Sequence, residues 1–133
     1  MNKFEVLEHT ADSRVKVFGR NREELFSNAL LALSELALPE LTEIAVSIPF
    51  KVESTDIESL LVDFLNEAIY FSQTEKSIYL KPIFKRISDS TAEGIFEGFK
   101  VRGFRNDIKA ATYHGVKILE KEGIQEVIII FDV

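Results

Sequence analysis

The stretch that most constrains the fold is Val127-Ile128-Ile129-Ile130-Phe131-Asp132-Val133. Five apolar residues run together there, four of them β-branched. A run this short, without helical periodicity, reads as a strand buried on both faces. Such a strand belongs in the middle of a sheet, with other strands flanking it. Asp132 and the carboxylate of Val133 then stand together at its rigid end as two hard oxygen groups. Near the other end of the sequence, His9-Thr10-Ala11-Asp12 supplies a further carboxylate. The expectation is that these two ends meet and hold a cation.

At 133 residues the chain reads as one domain, residues 1–133. Its eleven Phe, with many Leu, Ile and Val, are enough for one core. There is no cysteine, which excludes disulfides, thiolate zinc sites and a cysteine nucleophile. The N-terminal residues lack a signal-peptide pattern, and no apolar run is long enough to span a membrane. A cytoplasmic protein without a membrane partner is expected.

The net charge of −6 argues against strong direct binding of nucleic acid, which depends on Lys and Arg neutralising phosphates. The local basic groups Lys81-Lys85-Arg86 and Lys100-Arg102-Arg105 alternate with Ile83, Ile87, Val101 and Phe104, the pattern of solvated strand faces.

Phe4 to Leu7 and Val15 to Phe18 read as strands around a polar break. Asn21, with Glu24 three residues on, marks a helix start. Leu25, Ala29, Leu33 and Leu36 continue that helix over about Arg22 to Ala37, ahead of Pro39. Ile44 to Val52 alternates as a half-buried strand, and Pro49 places part of it at an edge. Thr55 with Glu58 suggests a second capping box. Ile57, Leu60, Leu61, Phe64, Leu65, Ala68 and Ile69 then define a helix over about Asp56 to Thr74. Its other face carries Asp63, Asn66, Glu67 and Tyr70. Asp63 and Glu67, one turn apart, read first as a solvated face, with acid–base or metal chemistry as the alternative.

Ile78 to Ile87, kinked at Pro82, and Ala92 to Arg102 are expected to form an antiparallel hairpin around Ser88-Asp89-Ser90. Gly103 to Asp107 reads as a turn, and Ile108 to His114 and Val116 to Glu120 as strand. Lys121-Glu122-Gly123 reads as a tight turn into the last strand. This order predicts an α+β fold, with two helices packed on one face of a largely antiparallel sheet.

No phosphate loop, HExxH helix or nucleophile elbow occurs. His9 and His114 lie in polar stretches and read first as hydrogen-bonding residues. The alternative is that either one ligates or orients a metal. What remains is oxygen chemistry: Asp12, Asp132 and the Val133 carboxylate suit a hard cation.

His9-Thr10-Ala11-Asp12 after Phe4-Glu5-Val6-Leu7-Glu8 resembles the opening of the archease family. Leu60-Leu61-Val62-Asp63-Phe64-Leu65-Asn66-Glu67, Lys109-Ala110-Ala111-Thr112-Tyr113-His114-Gly115 and the closing Ile130-Phe131-Asp132-Val133 are similar to further motifs of that family. Ser13-Arg14 departs from the Ile-Gly that usually follows the Asp, and the loop around Gly103 to Asp107 looks short.

The resemblance implies a non-enzymatic partner protein for the RtcB-type RNA ligase. It would promote guanylylation and repeated turnover in tRNA splicing, and would relax the ligase's nucleotide preference. It implies metal ligation by Asp12, Asp132 and Val133, with Ca²⁺ or Mg²⁺ bound, or Mn²⁺ in the complex. His9, Asp63, Glu67, Lys109 and His114 are then candidates to support the site or touch the partner. A small metal-dependent phosphoesterase built on Asp12, Asp63 and Glu67 is one alternative. A chaperone or modifier of RNA-processing enzymes is another.

Overall fold

The computed structural model describes residues 2–7 and 12–133. The elements run β1 (Phe4–Leu7), β2 (Ser13–Gly19), α1 (Arg22–Leu36), β3 (Pro39–Glu53), α2 (Ile57–Glu75), β4 (Ser77–Ile87), β5 (Thr91–Phe104), β6 (Ala110–Ala111), β7 (Leu119–Lys121) and β8 (Ile124–Asp132). Among the described residues every strand pairing is antiparallel, and the fold is α+β as expected. The strands divide between two sheets. One has the order β1-β2-β8-β6, with β7 also on β8; the other has the order β3-β5-β4.

Both helices begin where a side chain can satisfy the free amides of the first turn. Asn21 Oδ1 accepts from the Glu24 amide at 2.8 Å. Asp56, not Thr55, caps α2: its Oδ1 accepts from the Ser59 amide at 2.8 Å. The expected Thr55–Glu58 box does not form because Glu58 is used elsewhere, accepting from the Ile118 amide at 3.1 Å. The end of α1 is covered in trans. Asn106 Nδ2 donates to the Leu36 carbonyl at 2.8 Å, and the Arg105 and Asn106 amides donate to the Leu38 and Ala37 carbonyls.

β5 is the central strand of the three-stranded sheet, and two glycines let β4 approach it. A Cβ on Gly98 would lie 1.7 Å from the Ile78 carbonyl oxygen, and one on Gly94 2.0 Å from that of Ile83. Each close approach sits beside a register shift in β4, at Tyr79/Lys81 and at Phe84/Arg86. The inner face of this sheet meets the helices through phenylalanines. Phe50 and Phe96 stack at 4.1 Å, and Phe64 of α2 contacts Phe26, Phe50, Phe84 and Phe96. One core cluster joins these rings to Val15, Val17, Val127, Ile129 and Phe131 of the other sheet.

β8 lies between β2 and the β6 and β7 segments, which is the central position expected for it. It is not buried on both faces. Val127, Ile129 and Phe131 are buried, whereas Ile128 is 39% exposed and Ile130 half-buried, because the outer face of this sheet carries no helix among the described residues. The tight turn before it is as expected, with Glu122 and Gly123 at φ 54° and 78°, the backbone of a type I′ hairpin. No helix is long and apolar enough to cross a membrane.

The largest departure lies between β5 and β8. Only Ala110–Ala111 and Leu119–Lys121 are strand; the remainder of 105–118 is irregular. Its alternating residues resemble a strand, but side chains of α2 meet Ile108, Ala111, Tyr113 and Ile118 where a neighbouring strand would otherwise lie.

Candidate functional site

The register of β2 and β8 brings the two ends of the sequence together. Ser13 pairs with Phe131, Arg14 with Ile130 and Val15 with Ile129. Continuing this register by one residue places Asp12 beside Asp132. Val15, Val17, Ile129 and Phe131 point into the core, so Asp12 and Asp132 share the outer face. On the far side of β8, Asp132 pairs with Ala110. Side chains paired in this way have their Cβ atoms about 4.5–5.5 Å apart. Asp12 and Asp132 are therefore neighbours at one end of the sheet. The Asp12 side chain is 24% exposed and has Arg14 Nε 3.7 Å from its Oδ1. Val133 follows at the rim, 44% exposed.

The strap 108–118 fixes the other side of this row, and α2 fixes the strap. Ala111 pairs with Phe131, and its own amide and carbonyl face away from β8. Both are met by Asn66. The Ala111 amide donates to Asn66 Oδ1 at 2.8 Å, and Asn66 Nδ2 donates to the Ala111 carbonyl at 3.0 Å. The carboxamide thus supplies the two bonds that a further strand would supply. Around it, Gln73 Nε2 donates to the Ile108 carbonyl at 3.4 Å, and the Tyr113 hydroxyl donates to Asp63. The strap then joins β8, with the Lys109 amide donating to the Asp132 carbonyl at 2.8 Å and the Thr112 amide to that of Ile130 at 2.9 Å.

Asp63 is not on a solvated face. Its two oxygens accept from Tyr113 and from the Ser54 hydroxyl. That carboxylate holds the Tyr113 phenol in its protonated form, and with partial burial pushes its pKa up to about 12. Raised above the unfolded value, this pKa implies a contribution to stability that is full below about pH 10 and lost as pH rises toward 12. We expect Asp63→Asn to bring the Tyr113 ionisation back toward about 10, measured by ultraviolet pH titration.

Glu67 is half-buried, and burial raises its pKa. It shares no hydrogen bond with Asp63. Asp12, Asp63 and Glu67 do not assemble, and among the described residues no trio of His, Cys, Asp or Glu could hold a metal ion unaided. The three carboxylates of the alternative phosphoesterase reading therefore do not gather into one group. His114 is exposed and lines an open depression with Ala111, Thr112, Tyr113 and Asp132. Lys109 is exposed beside it, whereas His9 lies outside the described residues. Tyr113, Asn66 and Arg14 are the residues that sequence reasoning did not place at the site. The signal for Asn66 was its place on the polar face of α2, within the motif Leu60 to Glu67.

The model of the Archease protein family matches residues 4–133. The chain belongs to the archease family. An archease from Pyrococcus furiosus is 34% identical over 129 residues, 89% of each chain. One from Methanothermobacter thermautotrophicus is 31% identical over 141 residues, 99% of each chain. The solution structure of protein 1598 from Methanobacterium thermoautotrophicum superposes with a TM-score of 0.71 at 27% identity, covering both chains completely. The crystal structure of an archease from Thermotoga maritima, described as a possible chaperone, gives 0.68 at 26% identity, covering 96% of this chain and 94% of that one. The archease fold thus brings Asp12 and Asp132 side by side here and anchors the strap that flanks them.

Proposed function

We propose that the chain is a protein cofactor of an RtcB-type RNA ligase, promoting the ligase's guanylylation and multiple turnover through a divalent-cation site at one end of its larger sheet. The observation that carries this reading is the β2–β8 register, whose last pair, Ser13 with Phe131, sets Asp12 next to Asp132 on the outer face at one end of the sheet, in a chain of the archease family. Two adjacent carboxylates repel each other unless a cation neutralises them. Their oxygen chemistry fits Ca²⁺ or Mg²⁺, with Mn²⁺ a further candidate in the complex. Asp12 and Asp132 would hold the ion, with Val133 as the further ligand position that the family resemblance implies. Bound there, the ion would supply positive charge at the face that meets the ligase. The protein's own part is to set the carboxylate spacing through the β2–β8 register and to brace it with the strap. Lys109, His114 and Tyr113 surround the row as contact residues for the partner, and broader nucleotide use by the ligase would follow from this contact.

The test uses purified ligase, labelled GTP and the chain added below stoichiometry. Guanylylated ligase and ligated RNA per ligase molecule are expected to rise. An unchanged yield with the chain present would sink the reading. The possible-chaperone description of the Thermotoga maritima relative favours a second reading, protection of RNA-processing enzymes from aggregation. That reading requires the chain to suppress aggregation of several unrelated enzymes, with no effect on guanylylation.

A further inference from the structure

Arg14 lies two residues beyond Asp12 on β2 and so shares its outer face. It pairs with Ile130, which sets it diagonal to Asp132. Its Nε stands 3.7 Å from Asp12 Oδ1, inside ion-pair range and beyond a good hydrogen bond. The next cation along that face, Lys16, is turned to Glu126 at 3.5 Å. The acidic row therefore has a cation of the chain's own placed against it.

We propose that Arg14 is a resident counter-ion of the Asp12–Asp132 row and competes with a divalent cation for it. The inference rests on the cation reading above. A guanidinium has five N–H donors and no lone pair for a metal, so it can only repel the ion. A single charge about 6 Å from a divalent ion, largely screened by water, changes affinity on the order of tenfold. The ion pair itself is weak, because the Arg14 side chain is 42% exposed. Its head group can swing into solvent when the cation arrives. Arg14 thus sets the concentration at which the site fills, and offsets the charge of Asp12 when the cation is scarce.

The test is calorimetric titration of Ca²⁺, and separately Mn²⁺, into metal-free wild type, Arg14→Gln, Arg14→Ala and Arg14→Lys, with melting temperatures taken in chelator. The two neutral variants are expected to bind about tenfold more tightly and to melt at lower temperature without metal. Arg14→Lys keeps the charge and is expected to stay near wild type. The neutral variants are read separately, so the failure of one to fold leaves the other to decide. If wild type binds and the neutral variants bind equally or more weakly, Arg14 is no competitor, while the cation reading stands. If neither wild type nor any variant binds, the row takes no such cation, and both readings fall together.

Discussion

The double variant Asp12→Asn, Asp132→Asn is expected to fold normally and to lose divalent-cation binding and ligase activation together. Both side chains lie on the outer face at the end of the β2–β8 pairing, outside the core. The ladder bond at Asp132 uses its carbonyl oxygen, which the substitution keeps. Loss of the half-exposed Arg14 pair costs at most about 1 kcal/mol, and removing two adjacent like charges offsets part of that. Melting without metal should therefore stay close to wild type. With metal the two proteins should diverge, because a ligand at one hundred times its Kd stabilises the native state by about 2.7 kcal/mol. That increment is expected in wild type and absent in the variant. Guanylylation is expected to fall to the level of the ligase alone. A variant that activates like wild type would show that the partner reads some other surface. A variant with full activation and no cation response would separate activation from the metal.

The second large effect is expected at Asn66. Asn66→Ala removes the hydrogen-bond partner of both the amide and the carbonyl of buried Ala111. A buried backbone group left unpaired costs about 1–3 kcal/mol. With two groups, and some relief from entering water, the loss should be about 3 kcal/mol, or about 10 °C in melting temperature. Asn66→Asp is the sharper probe. It keeps the acceptor for the Ala111 amide but sets a carboxylate against the Ala111 carbonyl, and should be comparably destabilising. Hydrogen exchange locates the damage. The Ala111 amide should lose protection in both variants, while those of Val127 and Ile129 in β8 keep theirs. Uniform loss along β8 would mean that the strap is part of the global folding unit and not a separately anchored segment. Cation affinity should also fall, because β6 is the strand that braces Asp132.

Sequence alone was sufficient wherever the signal is local. The apolar spacing of Leu60, Phe64, Leu65 and Ala68 places α2 correctly, since helical periodicity shows within two turns. Ser88-Asp89-Ser90 marks the β4–β5 hairpin, and Glu122-Gly123 the entry to β8, because such turns carry their own residue requirements. The family motifs, including the Ser13-Arg14 departure, could be read as written.

Tertiary structure decided everything that depends on which element lies beside which. The alternation of Ile108 to His114 and of Val116 to Glu120 suited strand, but polar side chains of α2 take up backbone groups at Ile108, Ala111 and Ile118 that a further strand would have paired. Asp63 looked solvated until the loop carrying Tyr113 folded over it. β8 appeared buried on both faces because its composition reports hydrophobicity, not which face a helix covers. The meeting of Asp12 with Asp132, and the placing of Arg14 against them, follow from one β2–β8 register. That register is set by burying Val15, Val17, Ile129 and Phe131 together, and a one-residue slip of β2 against β8 would turn Val15 and Val17 to solvent while Ile129 and Phe131 stayed inside.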